Sequence, residues 1–350
     1  MRTKVFNWIT DQSACMTYRC VNPTIQCRDE LAKDDIILDM DATVHLDIGK
    51  QGYTHFIGHR IPHPKRLPFL LKLKTEHNIK LIWEVDDDLA SVPDWSPFKV
   101  NFDDDMICFL DMFFQVSDYI IVSTDHLKVA VIDKHKMDPA KIIVLKNLID
   151  VKDYNSFIRF GFPQVSFRTP FQVMWSGSES HVKDLDELGD MVYRFRGNKE
   201  IFFCFHGWFP PKYRTYYPDT VLHVPWNTVK HYPGTICRLW PHVGLLPLAP
   251  HYFNNSKSNI KLLEMSMAGA ACISSDIMTY ANDIVHGETG FIAKNMDDWY
   301  DYVEALFRDP VLRRRMSDKA LEYVIENWSW QTNNANRRAW LDFYRMLANC

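Results

Sequence analysis

The stretch FNNSKSNIKLLEMSMAGAACISS, Phe253 to Ser275, decides how this chain is read. A polar turn leads into an amphipathic helix with a single carboxylate, a glycine stops the helix, and a short apolar strand follows. Lys257, Lys261 and Glu264 stand four and three residues apart, so one stripe of the helix carries two ammoniums and a carboxylate. The N-terminus of a helix presents unpaired N–H groups and a partial positive charge, a setting for an anion such as a diphosphate. A carboxylate two turns in can accept hydrogen bonds from the vicinal hydroxyls of a ribose. The same spacing also fits an exposed helix with a Lys261–Glu264 pair, worth only ~0.2–0.5 kcal/mol.

The surroundings of this stretch are α/β. Short apolar strands alternate with helical patterns along all 350 residues, the mark of parallel sheets. Strands are expected at Val5–Ile9, Ile36–Met40, His55–Gly58, Leu81–Val85, Tyr119–Ser123 and Ile142–Leu145. A second set is expected at Phe171–Trp175, Ile201–His206, Val221–Val224, Val243–Pro247, Ala271–Ser274 and Gly290–Ala293. Helices are expected at Pro64–His77, Asp103–Val116, Thr124–His135, Asp184–Phe195, Asn259–Ala268, Asp297–Arg308 and Val311–Glu326. Two sets of six strands, parted by an irregular Pro/Phe-rich stretch near Phe160–Pro170, indicate two Rossmann-like domains, residues 1–165 and 166–329.

Composition narrows the class. Hydrophobic content of 47% with 24% charged residues fits a soluble globular enzyme, and a net charge of −4 gives no basic field for nonspecific nucleic-acid binding. No apolar run approaches the ~18 residues of a membrane span, and the N-terminus carries no secretory pattern. The eight cysteines contain no C-x-x-C, so they read as reduced core residues of a cytoplasmic protein. There is no G-x-G-x-x-G, Walker loop, H-E-x-x-H or G-x-S-x-G, which weakens dehydrogenase, ATPase and hydrolase readings.

Three further places carry chemistry. FQVMWSGSESHVKDLDEL (Phe171–Leu188) runs a strand into a small polar turn, where backbone amides at Gly177 and Ser178 can approach a phosphate. Helix capping by Ser178 or Ser180 is the plainer role there. KLIWEVDDDL (Lys80–Leu89) sets Asp86, Asp87 and Asp88 at a strand's carboxyl end, where Asp87 can orient or deprotonate an acceptor hydroxyl. A strand-end cap serves equally well for that cluster. GHRIPHPKRLPFLLKLK (Gly58–Lys74) is the one basic run. Arg60, just after a strand, can point into a cleft; the other cations suit an acidic acceptor or a membrane face, or are simply solvated.

The Phe253–Ser275 stretch resembles the donor signature of the retaining GT-B glycosyltransferases (glycosyl transferases group 1, phage and bacterial type), Glu-x7-Glu followed by a glycine and a strand. Glu264 matches the second Glu, and Ser256 stands where the first is expected. The similarity continues through Ser275-Asp276, Tyr280, VHGETGFIAKN (Val285–Asn295), Trp299 and RDPVLRRRMSDKALEYV (Arg308–Val324), about the last half of the chain. The resemblance implies a GT-B fold: two Rossmann-like domains facing a cleft, with a C-terminal helix (330–350) crossing back to the first. It implies a nucleotide-diphosphate sugar donor held by Ser256, Lys257, Ser258, Asn259, Ile260 and Glu264, with Gly177, Ser178, and His181 or Lys183 as the diphosphate cation on the turn. The family's Gly-Arg pair is missing there, since Gly177 is followed by Ser178. Trp226, after the strand VLHVPW, is a candidate neighbour of the base or a core residue. Catalysis is expected from Asp87, Arg60 and Lys257, without a metal or other cofactor; Asp-x-Asp within Asp86–Asp88 is the motif that would have argued for one. The acceptor hydroxyl is that of a saccharide, a lipid-linked saccharide or a hydroxymethylated pyrimidine of phage DNA. A non-catalytic GT-B-like binding module, favoured by Ser256, and a GT-B sugar epimerase are the alternatives.

Overall fold

The computed structural model describes residues 2–45, 47–60, 63–154, 170–214 and 220–349. The expected linker near Phe160–Pro170 and the 165/166 boundary fall outside these, apart from Pro170. The chain forms two six-stranded parallel sheets. The first contains β1 (Thr3–Trp8), β2 (Ile36–Asp41), β3 (His55–His59), β4 (Lys80–Val85), β5 (Tyr119–Val122) and β6 (Ile142–Val144), in the order β2-β1-β3-β4-β5-β6. The second contains β7 (Phe171–Gly177), β8 (Ile201–Gly207), β9 (Val221–Val224), β10 (Val243–Leu246), β11 (Ala271–Ser275) and β12 (Phe291–Ala293), in the order β12-β11-β10-β7-β8-β9. All twelve expected strands are present, within one or two residues at most ends. This is the two-Rossmann-domain, GT-B class of α/β fold.

Strand order locates the site before any side chain is considered. In each sheet the chain builds outward from one strand, then returns to that strand's other side: between β1 and β3 in the first, between β7 and β10 in the second. Ligands of open α/β sheets bind outside the carboxyl ends of strands at such switch points, because the flanking loops part there. Asp11 and Arg60 follow β1 and β3; Ser178 and Leu248 follow β7 and β10.

Each sheet is covered on both faces by apolar residues, which is why its strands read as nearly continuous hydrophobic runs. The last helix, Ala335–Ala348, presents Trp340, Leu341, Phe343, Tyr344 and Leu347 on one face, and these bury with Val5, Leu31, Leu38 and Ile82 of the first sheet's layer. Trp340 Nε1 donates to Lys146 O at 2.9 Å, and Arg337 and Arg345 pair with Glu30 and Asp34 at 2.6 and 2.9 Å. The two stretches that lead into and out of the second sheet's layer run side by side: Ile149 N donates to Trp328 O and Trp330 N to Ile149 O.

Several elements differ from expectation, among them a helix at Tyr232–Leu239 where none was expected. Asp184–Phe195 is not one helix: Asp184–Leu188 forms a 3₁₀ turn, Gly189 takes a left-handed φ of +53°, and only Met191–Arg194 is α-helical. Glycine costs nothing in that conformation, and it breaks the helix there. The segment from Ala14 to Leu31, for which no element was expected, is helical, with a π-helical turn at Thr17–Val21. The basic run after β3 is largely neutralised. Lys72 lies 3.5 Å from Glu76, Lys74 3.2 Å from Asp118, and Arg66 packs over the Trp8 ring.

Candidate active site

The carboxyl ends of both sheets open into one cleft of about 780 Å³. The second sheet contributes the turn after β7 and the helix Ile260–Met267. Leu262, Leu263, Met265 and Met267 bury the inner face of that helix, leaving Lys261 and Glu264 along the cleft; Lys257, expected on the same helical stripe, precedes the helix in extended backbone but lines the cleft as well. Glu264 is only 6% exposed. Tyr18 Oη donates to its Oε1 at 2.8 Å and Tyr232 Oη to its Oε2 at 3.1 Å. Burial pushes its pKa up to about 7 against the pull of the two phenols and of Lys261.

Lys261 is the cation at the turn. Its Nζ is buried, and among the described residues it has no hydrogen-bond partner. It lies over the Trp175 ring and 3.0 Å from where a Cβ on Gly177 would stand. That Cβ would also meet the Trp175 ring at 2.4 Å, so only glycine fits. Burial pulls the Lys261 pKa down to about 8, with Lys257 reinforcing and Asp184 and Glu264 opposing. A buried ammonium without a partner costs stability, and an anion entering beside Gly177 would offset that cost.

The expected residues divide. Arg60, Asp87, Gly177, Ser178, His181, Trp226, Lys257, Ser258, Ile260 and Glu264 line the cleft. Lys183 does not: its side chain is half-exposed and bound to Asp186 at 2.8 Å, the i,i+3 pairing its sequence allows. His181 is in the cleft but is not a cation. Burial and then Lys261 hold its pKa down at about 4, and its Nδ1 bonds Asp184 at 2.6 Å. Asp184 Oδ1 also accepts from Ala249 N and Asn254 Nδ2, both at 2.8 Å, which fixes the loop between β10 and the helix. Ser178 leaves its turn uncapped and pairs with the Ser180 hydroxyl instead. Ser256 is fully buried, its hydroxyl 3.4 Å from Tyr252 O, and Asn259 stands at the N-cap of its helix without a side-chain capping bond, its amide donating to Asp283 at 2.9 Å instead. Trp226 is half-exposed and packs edge-on against His206.

Facing these from the first sheet are Arg60 and the Asp cluster. Arg60 has a left-handed backbone (φ +56°), pinned by Trp83 Nε1 on its carbonyl at 2.7 Å and by its own N–H on Glu84 O. Its guanidinium lies 3.4 Å from Asp86 and 3.9 Å from Asp11. Asp88 turns away to Lys134 at 2.5 Å. Asp87 points across the cleft to Lys257 at 3.6 Å. The three expected catalytic groups therefore converge on one cleft, with each Asp of the cluster facing a cation.

Bonds between the two halves hold this geometry. Asn147 Nδ2 donates to Ser258 Oγ at 2.9 Å and Thr124 Oγ1 to Ser256 O at 2.9 Å. Asn147 in turn accepts from Arg19, whose Nε meets Glu84 at 2.5 Å, and Glu84 also contacts His59. Sequence reading missed Tyr18, Tyr232 and this buried Arg19–Glu84–His59 group. Lys261 was recognised in the stripe but assigned no role in the site.

No protein-family model and no curated protein matches the chain. Solved structures do match its fold. HepE of Anabaena in complex with UDP is 11% identical with a TM-score of 0.67, covering 100% of both chains. Sucrose-phosphate synthase from Thermosynechococcus elongatus is 11% identical with a TM-score of 0.69, covering 99% of both. A glycosyltransferase from Rickettsia africae is 14% identical with a TM-score of 0.62, again covering 99% of both.

Proposed function

We propose that this protein transfers a glycosyl group from a nucleoside-diphosphate sugar to an acceptor hydroxyl. The observation that carries the reading is the pairing of Lys261, a buried ammonium beside the Gly177 turn with no hydrogen-bond partner among the described residues, with Glu264 one helical turn further on. Spaced along one stripe, they suit a diphosphate and a ribose. The fold match to HepE, whose structure contains UDP, supports it.

In the reaction the donor C1–O bond breaks, its electron pair leaves with the diphosphate, and the acceptor oxygen bonds to C1. Negative charge grows on the leaving oxygen, which Lys261 and Lys257 stabilise; a fixed donor of this kind is worth ~3 kcal/mol in a water-poor site. The same event frees the base. Lys257 holds Asp87 in the ligand-free cleft, so a diphosphate that captures Lys257 leaves the Asp87 carboxylate to take the acceptor's proton. The two lysines supply the charge that a metal would, and the pairing of Asp86, Asp87 and Asp88 with cations speaks against Asp-x-Asp metal binding; metal independence is thus part of the reading. Retention of configuration, and a hexose as the group transferred, rest on the resemblance. Ser256 is buried and does not line the cleft, so in this reading whatever contact the first Glu of the family would make is made otherwise. The cysteines among the described residues are all unpaired, which fits a cytoplasmic setting.

The test is release of nucleoside diphosphate from a panel of nucleotide sugars in EDTA. Turnover with one donor, lost in Glu264→Ala, supports the reading; absence of binding by every donor would sink it.

A further inference from the structure

Resting on that reading, the cleft's other half carries information about the acceptor. Its charged groups are four carboxylates, Asp11, Asp86, Asp87 and Asp153, against one guanidinium, Arg60, that already faces two of them. None of Lys65, Arg66, Lys72 or Lys74 lines the cleft, as the described residues place them. A polyanion such as a DNA strand binds by setting its phosphates against cations, and this wall offers net negative charge instead.

Between β4 and the helix Asp104–Val116 the chain spends eighteen residues in an irregular segment whose aromatic rings face the cleft. Trp95 and Phe98 line it with 38% and 45% of their surface exposed. Rings left half-bare beside carboxylates suit a sugar, which has an apolar C–H face to lie on a ring and hydroxyls around its edge for the carboxylates. Asp86 can supply an acceptor. It is 8% exposed, its carboxylate is met by the Cys15 thiol, and its Oδ1 faces Arg60 Nε at 3.4 Å without a hydrogen bond among the described residues, so that oxygen has capacity left for a hydroxyl.

We infer that the acceptor is the uncharged end of a saccharide, stacked on Trp95 and Phe98 and hydrogen-bonded by Asp86, and not a nucleic acid. The experiment is saturation-transfer NMR on the full chain with three kinds of probe. These are uncharged oligosaccharides of glucose, galactose, mannose and N-acetylglucosamine, a hydroxymethylcytosine duplex, and heparin. Nucleoside-diphosphate binding is measured alongside. At least one neutral oligosaccharide is expected to bind saturably, at least ~10-fold more weakly to Trp95→Ala. Phe98→Ala is the second variant in case the first fails to fold, and both should bind nucleoside diphosphate as wild type does. Stronger binding of the duplex or heparin, or binding of no neutral saccharide while nucleotide still binds, overturns the inference. Loss of nucleotide binding by the wild type overturns the reading beneath it instead.

Discussion

Tyr18 Oη donates a 2.8 Å hydrogen bond to Glu264 Oε1, spanning 246 residues of sequence and the cleft between the two sheets. With Tyr232 on the other oxygen, it keeps a buried carboxyl in place and favours its ionised form, opposing the upward push of burial. Tyr18→Phe removes that support. The variant should unfold more easily by about 1–2 kcal/mol in denaturant titration. Its Glu264 should protonate at higher pH, so nucleotide binding should fall off at higher pH on the acid side than in the wild type.

The pKa values set a window for binding. Glu264 gains its proton below about 7 and Lys261 loses its own above about 8, so nucleoside-diphosphate affinity should peak between these values and fall on both sides. Calorimetric titrations from pH 5.5 to 9.5 check this; a flat profile would show that neither group meets the ligand.

Glu264 also leaves a mark on stability. Its folded pKa is raised, so the unfolded chain ionises first as pH climbs from its ordinary 4.5, and stability falls until about 7. Below 4.5 the group is neutral in both states and costs nothing. Glu264→Gln removes the penalty, so at pH 8 the ligand-free variant should be more stable by up to about 3 kcal/mol, with little gain at pH 4. Thermal melts at the two pH values test the sign.

Lys261 over the turn and Lys183 on it separate cleanly as candidates for the diphosphate. Lys261→Ala should weaken nucleoside-diphosphate binding about 10- to 100-fold, the loss of one charge-assisted contact, while stabilising the ligand-free protein. Lys183→Ala should leave affinity unchanged, because Lys183 is a surface partner of Asp186. Equal losses in both variants would contradict the geometry.

Periodicity made the sheets legible. Parallel strands buried on both faces are unbroken apolar runs, and β7 to β12 could be delimited almost to the residue. Glu264 was legible because a lone carboxylate on an amphipathic helix next to two lysines is a local pattern. Tyr18 was not, since it sits in a π-helical turn without a regular hydrophobic stripe and acts on a residue in the other sheet's layer. Lys183 was singled out by its position on the turn, and the Asp186 three residues on, a pairing present in the sequence, holds it at the surface outside the cleft. Lys261 over Gly177 needed the fold, since only packing shows which stripe lysine is stripped of partners.

The central claim is that Lys261 meets a diphosphate and Glu264 a ribose. Calorimetry with a nucleoside diphosphate, the matching monophosphate and the 2′,3′-dideoxy diphosphate measures both contacts at once, on wild type, Lys261→Ala and Glu264→Ala. The wild type should prefer the diphosphate and the intact ribose by about 10-fold each. Lys261→Ala should lose only the first preference and Glu264→Ala only the second. If the wild type binds none of the three, or if each variant keeps both preferences, the cleft does not hold a nucleotide in this way.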